Sequence, residues 1–137
     1  MKNKVSFDFD STLDKPSVQK YAKDLIDKGF EVWVITSRPD VYKNHWVVDG
    51  VEVKLENNDL FKVTDNLGIP KEQIHFTCYD LKSNFIKGKG FLWHLDDDEV
   101  EIESINEETN CVGVLVCEDN WKEKCERIIT EFKNIEK

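Results

Sequence analysis

The stretch Val5-Ser6-Phe7-Asp8-Phe9-Asp10-Ser11-Thr12-Leu13 joins an apolar β-strand pattern to two aspartates that lie two residues apart. Residues with this spacing on a strand point to the same face, so we expect Asp8 and Asp10 on one side of the strand's end. Two like charges held together need a positive charge nearby or a proton on one of them. Mg²⁺ meets that need, because it binds a few carboxylates together with water and substrate phosphate. The stretch predicts either a metal site or, on the plainer interpretation, a strand that enters a polar turn.

The composition limits the classes of protein to consider. The chain has 137 residues, of which 39% are hydrophobic and 34% are charged, and its formal net charge is −9. This length predicts a single domain over residues 1–137 with a sizeable core. The negative charge argues against a general nucleic-acid-binding surface, because such surfaces are basic.

The apolar segments and the cysteines of the sequence predict where the protein is located. The sequence has no apolar signal segment and no run near the ~20 apolar residues needed to span a bilayer, so we expect a cytoplasmic protein without a membrane partner. Four cysteines show neither CxxC spacing nor nearby paired histidines. Reduced thiols are therefore expected rather than a zinc site or a disulfide framework.

A helix and a second strand follow the opening stretch. Apolar residues from Val18 to Ile26 recur at helical spacing, and Gly29 is well placed to end that helix. The run Glu31–Thr36 then predicts a strand that ends in hydroxyl residues. Strand, helix and strand within about 30 residues form a βαβ unit, whose strands are parallel and whose crossover is right-handed.

The rest of the chain continues this alternation. An Asp49-Gly50 pair within residues 46–53 predicts a small β-hairpin, and a helix is expected from Asn58. Further strands are expected over residues 74–78, 91–95 and 111–116, with helices over 82–87, through 100–105 and from Trp121 onward. This order predicts an α/β fold, a three-layer α/β/α sandwich on a mostly parallel five-stranded sheet.

Polar residues follow the predicted strands at the edge where open parallel sheets bind ligands. They are Asp8 and Asp10 after the first strand, Thr36 and Ser37 after the second, Lys82 just beyond the third, and Asp96 and Asp97 after the fourth. Asp8 with one or both of the later aspartates can hold Mg²⁺ against a phosphoryl group. A hydroxyl from the second strand and the lysine can bind the remaining phosphoryl oxygens. Asp8 can then attack phosphorus, while Asp10 transfers protons to the leaving oxygen and from water.

The order of these motifs resembles the haloacid dehalogenase superfamily of Mg²⁺-dependent phosphatases and phosphotransferases. Asp8-Phe9-Asp10-Ser11-Thr12-Leu13 is similar to its first motif, Thr36-Ser37-Arg38 to the second, Lys82 to the third and Asp96-Asp97 to the fourth. The resemblance covers roughly residues 4–116. It implies a Rossmann-like sheet with strand order 5-4-1-2-3, in which the first and fourth strands are neighbours.

The resemblance also implies a role for each motif residue. Asp8 would be the nucleophile and a metal ligand, and Asp10 would be the general acid and base, with its backbone carbonyl on Mg²⁺. Lys82 would stabilise the charge of the nucleophile and the phosphate. Thr36 would bind phosphate, and Asp96 and Asp97 would complete the metal site. Arg38, directly after the hydroxyls, is a candidate substrate contact.

Two assignments are open from the motifs alone. Lys82, Lys87 and Lys89 all lie in range of the third motif, and Lys82 is preferred because it is nearest the strand end. Asp98 is assigned to a helix N-terminus instead of the metal, because the two aspartates before it follow the strand directly. Ser11 stands where the family most often has glycine.

Other polar residues receive a structural interpretation. His45, His75 and His94 are scattered, so we interpret them as packed or surface residues and not as metal ligands. The acidic run from Glu99 to Glu108 is interpreted as the solvated face of a helix.

These observations predict a small phosphatase that acts through an aspartyl-phosphate on Asp8. Family caps are inserted after the first motif or between the second and third, and here the second interval holds only a short excursion near residues 41–57. The site is therefore expected to be open, and the resemblance to members of the family with open sites implies a nucleotide or a polynucleotide phosphate end as substrate, or more generally a phosphorylated small molecule. An oligomer is compatible with the sequence, which does not specify one.

Two other classes of protein remain. The first is a noncatalytic metal- or phosphate-binding regulatory domain of the same fold. The second is a phosphoacceptor receiver domain, whose acceptor aspartate would follow the third strand, where this chain has Thr77-Cys78.

Overall fold

The computed structural model describes residues 3–40, 46–53 and 56–136. Its strands and helices alternate along the chain. In order they are β1 (Lys4–Phe7), α1 (Pro16–Asp27), β2 (Glu31–Thr36), β3 (Trp46–Val48), β4 (Val51–Val53), α2 (Asn58–Leu67), β5 (Ile74–Phe76), α3 (Lys82–Ile86), β6 (Phe91–Asp96), α4 (Glu99–Glu108), β7 (Val112–Leu115) and α5 (Trp121–Glu136).

Five of the strands form one sheet in the order β5-β2-β1-β6-β7, and every pair in it is parallel. The predicted α/β fold with a five-stranded parallel sheet is therefore confirmed. The expected order 5-4-1-2-3 counted sheet strands only, whereas the hairpin adds β3 and β4 to the numbering here. Without them the observed order reads 3-2-1-4-5, which is the same arrangement counted from the other edge.

Helices cover both faces of this sheet. One core cluster packs α1, α2 and α5 against one face, and its largest fully buried members include Phe7 and Trp93, which meet edge to face. A second, smaller cluster packs α3 and α4 against the other face around Ile86 and Ile105. Burial on both faces explains why β1 and β6 are rich in apolar residues.

The pairing of β1 with β6 sets which side chains lie together at the ligand edge. Lys4 pairs with Phe91 and Ser6 with His94, so a two-residue step in β1 matches a three-residue step in β6. This bulge places Ser6 and His94 on the same face of adjacent strands, because directly paired residues share a face.

Two local predictions differ in outcome. The hairpin is confirmed, since β3 and β4 pair antiparallel around Asp49 and Gly50, which both have positive φ as a tight two-residue turn requires. The third sheet strand was expected to reach residue 78 but β5 ends at Phe76. Cys78 and Tyr79 have φ of 53° and 68°, and this left-handed backbone cannot continue a strand.

Two global features complete the fold. All four cysteines are free, and Cys111 and Cys125 are buried while Cys78 and Cys117 are exposed. Among the described residues, no helix combines the length and the apolar character needed to cross a bilayer.

Candidate functional site

A cleft of about 130 Å³ opens at the carboxyl ends of the central strands. Its lining consists of Asp8, Asp10, Ser37, Lys82, Asp96, Asp97, Asp98 and Glu101. The structure thus brings together six of the residues that the sequence singled out, although they lie far apart along the chain. Thr36 and Arg38 do not belong to this lining.

A wide turn over Phe9–Leu13 follows Asp8 and shapes the first side of the cleft. Within it Asp10 has extended backbone angles and Ser11 is left-handed, with φ 59° and ψ 17°. Left-handed backbone costs a non-glycine residue roughly 1–2 kcal/mol, which explains why glycine suits this position. Here the Ser11 N–H donates to Asp14 Oδ2 at 3.1 Å, a contact that stabilises the turn.

Lys82 joins two carboxylates at the centre of the site. Its Nζ lies 2.7 Å from Asp8 Oδ1 and 2.6 Å from Asp96 Oδ2, and the residue is 2% exposed. Burial alone would lower the pKa of Lys82, but the two carboxylates raise it, so the lysine stays charged. Lys87 and Lys89 are exposed and lie outside the cleft lining. Of the three candidate lysines, Lys82 is therefore the one that lines the cleft.

Three carboxylates lie close enough to share a cation. Oxygens of Asp8, Asp96 and Asp97 all lie within 4.8 Å of one another. An all-oxygen donor set suits a hard cation such as Mg²⁺. Asp98 instead accepts hydrogen bonds from the backbone of Val100 and Glu101, which agrees with its assignment to the N-terminus of α4.

The hydrogen bonds of these carboxylates leave room for a ligand. Asp96 Oδ2 accepts from both Lys82 and His94, while Oδ1 accepts one bond from the Asp98 N–H. Asp8 receives one bond from Lys82 and a long one of 3.4 Å from Thr12. A carboxylate offers about four lone-pair sites, so Asp96 keeps one free and Asp8 keeps two. The residues present therefore fit a bound cation.

The two buried aspartates differ in electrostatic environment. Burial raises the pKa of Asp8 to about 8, although the charge of Lys82 opposes the shift. Burial would also raise the pKa of Asp96, but the hydrogen bond from His94 and the nearby Lys82 lower it below its usual value. Asp96 is thus ionised without a metal. A bound cation would favour the ionised form of Asp8 more than that of Asp96, because the pKa of Asp8 is raised whereas that of Asp96 is already lowered.

His94 supports Asp96 from inside the protein. The ring is completely buried, with Nε2 2.8 Å from Asp96 Oδ2 and Nδ1 2.8 Å from Ser6 Oγ. Burial lowers the pKa of His94, so the ring is neutral. Because a carboxylate only accepts, Nε2 carries the proton and Ser6 donates to Nδ1. Sequence reasoning assigned His94 to packing and missed this contact, although its i, i+2 spacing from Asp96 on a strand was a visible signal.

Arg38 lies between two carboxylates. Its Nε and Nη2 donate to the two oxygens of Asp10 at 3.0 and 2.6 Å, and Nη1 and Nη2 donate to Asp59 at 2.8 and 2.9 Å. The remaining donor reaches Asn57 Oδ1 at 3.4 Å. All five N–H groups of the guanidinium are therefore used, and none points free toward a substrate. Asn57 and Asp59 were not identified from the sequence.

The hydroxyls that follow β2 have different environments. Thr36 is completely buried, and its Oγ1 accepts the Arg38 backbone N–H at 3.3 Å. Ser37 is partly exposed and belongs to the cleft lining. Ser37 is thus the hydroxyl of this pair that faces the cleft.

Glu101 is a second residue that sequence reasoning missed. It was interpreted as part of a solvated helix face, yet it lines the cleft and its Oε2 accepts the Lys82 backbone N–H at 3.0 Å. This contact ties the first turn of α4 to the first turn of α3 and fixes the base of the lysine. Burial raises the pKa of Glu101 above its usual value.

Of the three histidines, two fall within the described residues. His75 stacks on Phe85 with 3.6 Å between ring centroids, away from the cleft. His45 lies outside the described residues.

Comparison of the chain with family models, with curated proteins and with solved structures found no match.

Proposed function

We propose that this protein is a Mg²⁺-dependent phosphatase of the haloacid dehalogenase type, which hydrolyses phosphomonoesters through an aspartyl-phosphate on Asp8. The observation that carries the proposal is the buried lysine bridge: Lys82 Nζ lies 2.7 Å from Asp8 Oδ1 and 2.6 Å from Asp96 Oδ2. These two carboxylates and that of Asp97 lie close enough together to bind one cation. A lone acidic cluster on a surface would have no such internal cation.

The residues of the cleft divide the chemistry between them. Asp8, Asp96 and Asp97 would hold Mg²⁺, which when bound neutralises charge on a phosphoryl group and on the attacking carboxylate. Lys82 holds Asp8 in place, and Ser37 offers a hydrogen bond to a phosphoryl oxygen.

The reaction proceeds in two displacements at phosphorus. In the first, a free oxygen of Asp8 forms a bond to phosphorus, the ester P–O bond breaks, and the leaving oxygen takes a proton that the exposed Asp10 carboxylate has first taken up from solvent. In the second, water attacks phosphorus while Asp10 removes its proton, and inorganic phosphate leaves with regeneration of Asp8. Positioning and charge stabilisation supply most of the rate enhancement in phosphoryl transfer.

The position of the nucleophile favours this family over a receiver domain. Asp8 follows β1, the central strand, whereas the third sheet strand, β5, is an edge strand followed by Thr77. The hairpin of β3 and β4 is a small insertion between β2 and α2, which is consistent with a minimal cap. A nucleotide, a polynucleotide phosphate end or another phosphorylated small molecule is the proposed substrate, and the cytoplasm is the proposed location.

The decisive experiment measures phosphate release from p-nitrophenyl phosphate and from a panel of phosphorylated metabolites, with Mg²⁺ and with EDTA. We expect metal-dependent turnover in the wild type and a loss of at least about 10³-fold in Asp8→Asn. Asp24→Asn, an exposed change of the same kind on α1, is the matched control and should retain full activity.

Activity that survives in Asp8→Asn would rule out the aspartyl-phosphate. A wild type that binds Mg²⁺ but releases no phosphate from any substrate would favour a noncatalytic binding domain.

A further inference from the structure

We infer that Arg38 is a positioning residue that orients the carboxylate of Asp10 in the cleft, and that Asp59 at the start of α2 anchors this arginine. The inference rests on the proposed function, because it concerns how Asp10 is held as a carboxylate, the form that removes the proton from the attacking water. It replaces a direct contact between Arg38 and substrate with an indirect role.

The geometry at Asp10 is that of a two-point contact. Arg38 Nε and Nη2 reach the two carboxylate oxygens separately, at 3.0 and 2.6 Å. Paired parallel hydrogen bonds fix the plane of a carboxylate as well as its distance. The side chain of Asp10 is 55% exposed, so the protein interior packs against little of it and a hydrogen-bond partner is needed to orient it. The next residue, Ser11, has a left-handed backbone.

The arginine is itself held on three sides. Asp59 accepts two of its N–H groups, and Asn57 accepts a fifth. The guanidinium carbon also lies 5.0 Å from the ring centroid of the buried Phe9. Only 14% of its side chain is exposed, so Arg38 is more enclosed than an ordinary surface arginine.

Asn57 extends the support to the backbone that follows β2. Its Nδ2 donates to the carbonyl oxygens of Pro39 and Asp40 at 3.0 and 3.1 Å, and the residue is buried. The segment after Arg38 is thus joined to the start of α2. The arginine therefore lies at a fixed junction of two elements, and it transmits that rigidity to Asp10.

The first test detects the contact of Arg38 with Asp10 and Asp59 by NMR and needs no enzyme assay. The chain contains two arginines, Arg38 and the exposed Arg127, so its arginine Nε–H nitrogen–proton spectrum holds two side-chain signals. We expect one signal to exchange slowly with water and to vanish in Arg38→Gln. Asp10→Asn and Asp59→Asn should speed its exchange at least about 5-fold, while the Arg127 signal stays unchanged. Two signals with equally fast exchange in the wild type would overturn the inference.

The second test separates positioning from substrate binding. For Arg38→Gln we expect kcat to fall by about 10- to 100-fold with KM within about 2-fold, because a misplaced proton-transfer group slows chemistry and not binding. Arg38→Lys should rescue little, since an ammonium cannot make the two-point contact. Asp59→Asn should lower kcat by about 3- to 10-fold, and Asp65→Asn, an exposed change on the same helix, should not.

The outcomes distinguish this inference from the proposed function. An active wild type whose kcat is unchanged in Arg38→Gln, or whose loss lies wholly in KM, overturns the positioning role and leaves the phosphatase intact. A wild type inert on every substrate overturns the phosphatase and the positioning role of Arg38 in it together.

Discussion

His94 Nε2 donates to Asp96 Oδ2 at 2.8 Å, and both side chains are completely buried. The other ring nitrogen accepts from Ser6, so a chain of three side chains runs from the sheet interior to the cleft. Histidine and hydroxyl groups that orient a metal-binding carboxylate often matter for metal affinity nearly as much as the carboxylate itself.

His94→Phe tests this chain. The change keeps an aromatic ring, although a slightly larger one, and removes the donor to Asp96, so we expect Mg²⁺ affinity to fall by about 10- to 100-fold. Isothermal titration with Mg²⁺ measures it, and Ser6→Ala should have a smaller effect of the same sign. His75→Phe is the matched control, because His75 stacks on Phe85 away from the cleft. Equal Mg²⁺ affinity in folded His94→Phe and wild type would show that Asp96 needs no such support.

Lys82→Met tests the buried cation. Without it the buried, ionised Asp96 would lose its charged partner, which typically costs about 3–5 kcal/mol of unfolding free energy. We expect the free energy of unfolding of Lys82→Met to fall by most of that amount in EDTA. It should recover in part with Mg²⁺, because the metal supplies the missing positive charge. Urea unfolding in the two conditions measures the difference. Lys87→Met, at an exposed lysine, should change stability by less than about 0.5 kcal/mol in both.

The raised pKa of Asp8 predicts a pH dependence of stability. Burial raises it from 3.8 in the unfolded chain to about 8 in the folded protein. Between these values the folded state binds more protons than the unfolded state, so stability falls as pH rises, by at most about 1.4 kcal/mol per pH unit. Unfolding in EDTA at pH 5, 6 and 7 should show this slope in the wild type relative to Asp8→Asn.

Mg²⁺ should flatten that slope, because it competes with the proton for Asp8 and binds more tightly as pH rises. A wild type and an Asp8→Asn variant with identical pH dependence in EDTA would contradict the assignment of a raised pKa to Asp8.

Ser11→Gly tests the strained turn. Since Ser11 has φ 59°, glycine should relieve local strain and stabilise the protein by about 0.5–1 kcal/mol, with the loss of chain entropy limiting the gain. Ser17→Gly, within the first turn of α1, should instead destabilise by a similar amount. Thermal unfolding of both variants shows whether each change raises or lowers the stability. A destabilised Ser11→Gly would mean that the serine hydroxyl contributes more than the strain costs.

Much of the fold followed from local patterns. Hydrophobic periodicity and the position of Gly29 and Gly68 predicted α1, β2 and α2 closely, because these signals reside within each element. The third sheet strand was predicted too long, since nothing in Thr77-Cys78-Tyr79 announces a left-handed backbone. That turn is held by the Tyr79 N–H on the Ser37 carbonyl oxygen at 2.7 Å, a contact between distant parts of the chain.

By itself the sequence determined which chemical groups end the strands, and in a parallel sheet those ends share one edge. It placed Asp8 and Asp96 within reach of each other for that reason. Only the tertiary structure decided the partners: His94 and Ser6 lie 88 residues apart and meet through a bulge in β6, and Arg38 finds Asp59 across the start of α2. Such contacts depend on register and on the packing of separate elements, which no local pattern encodes.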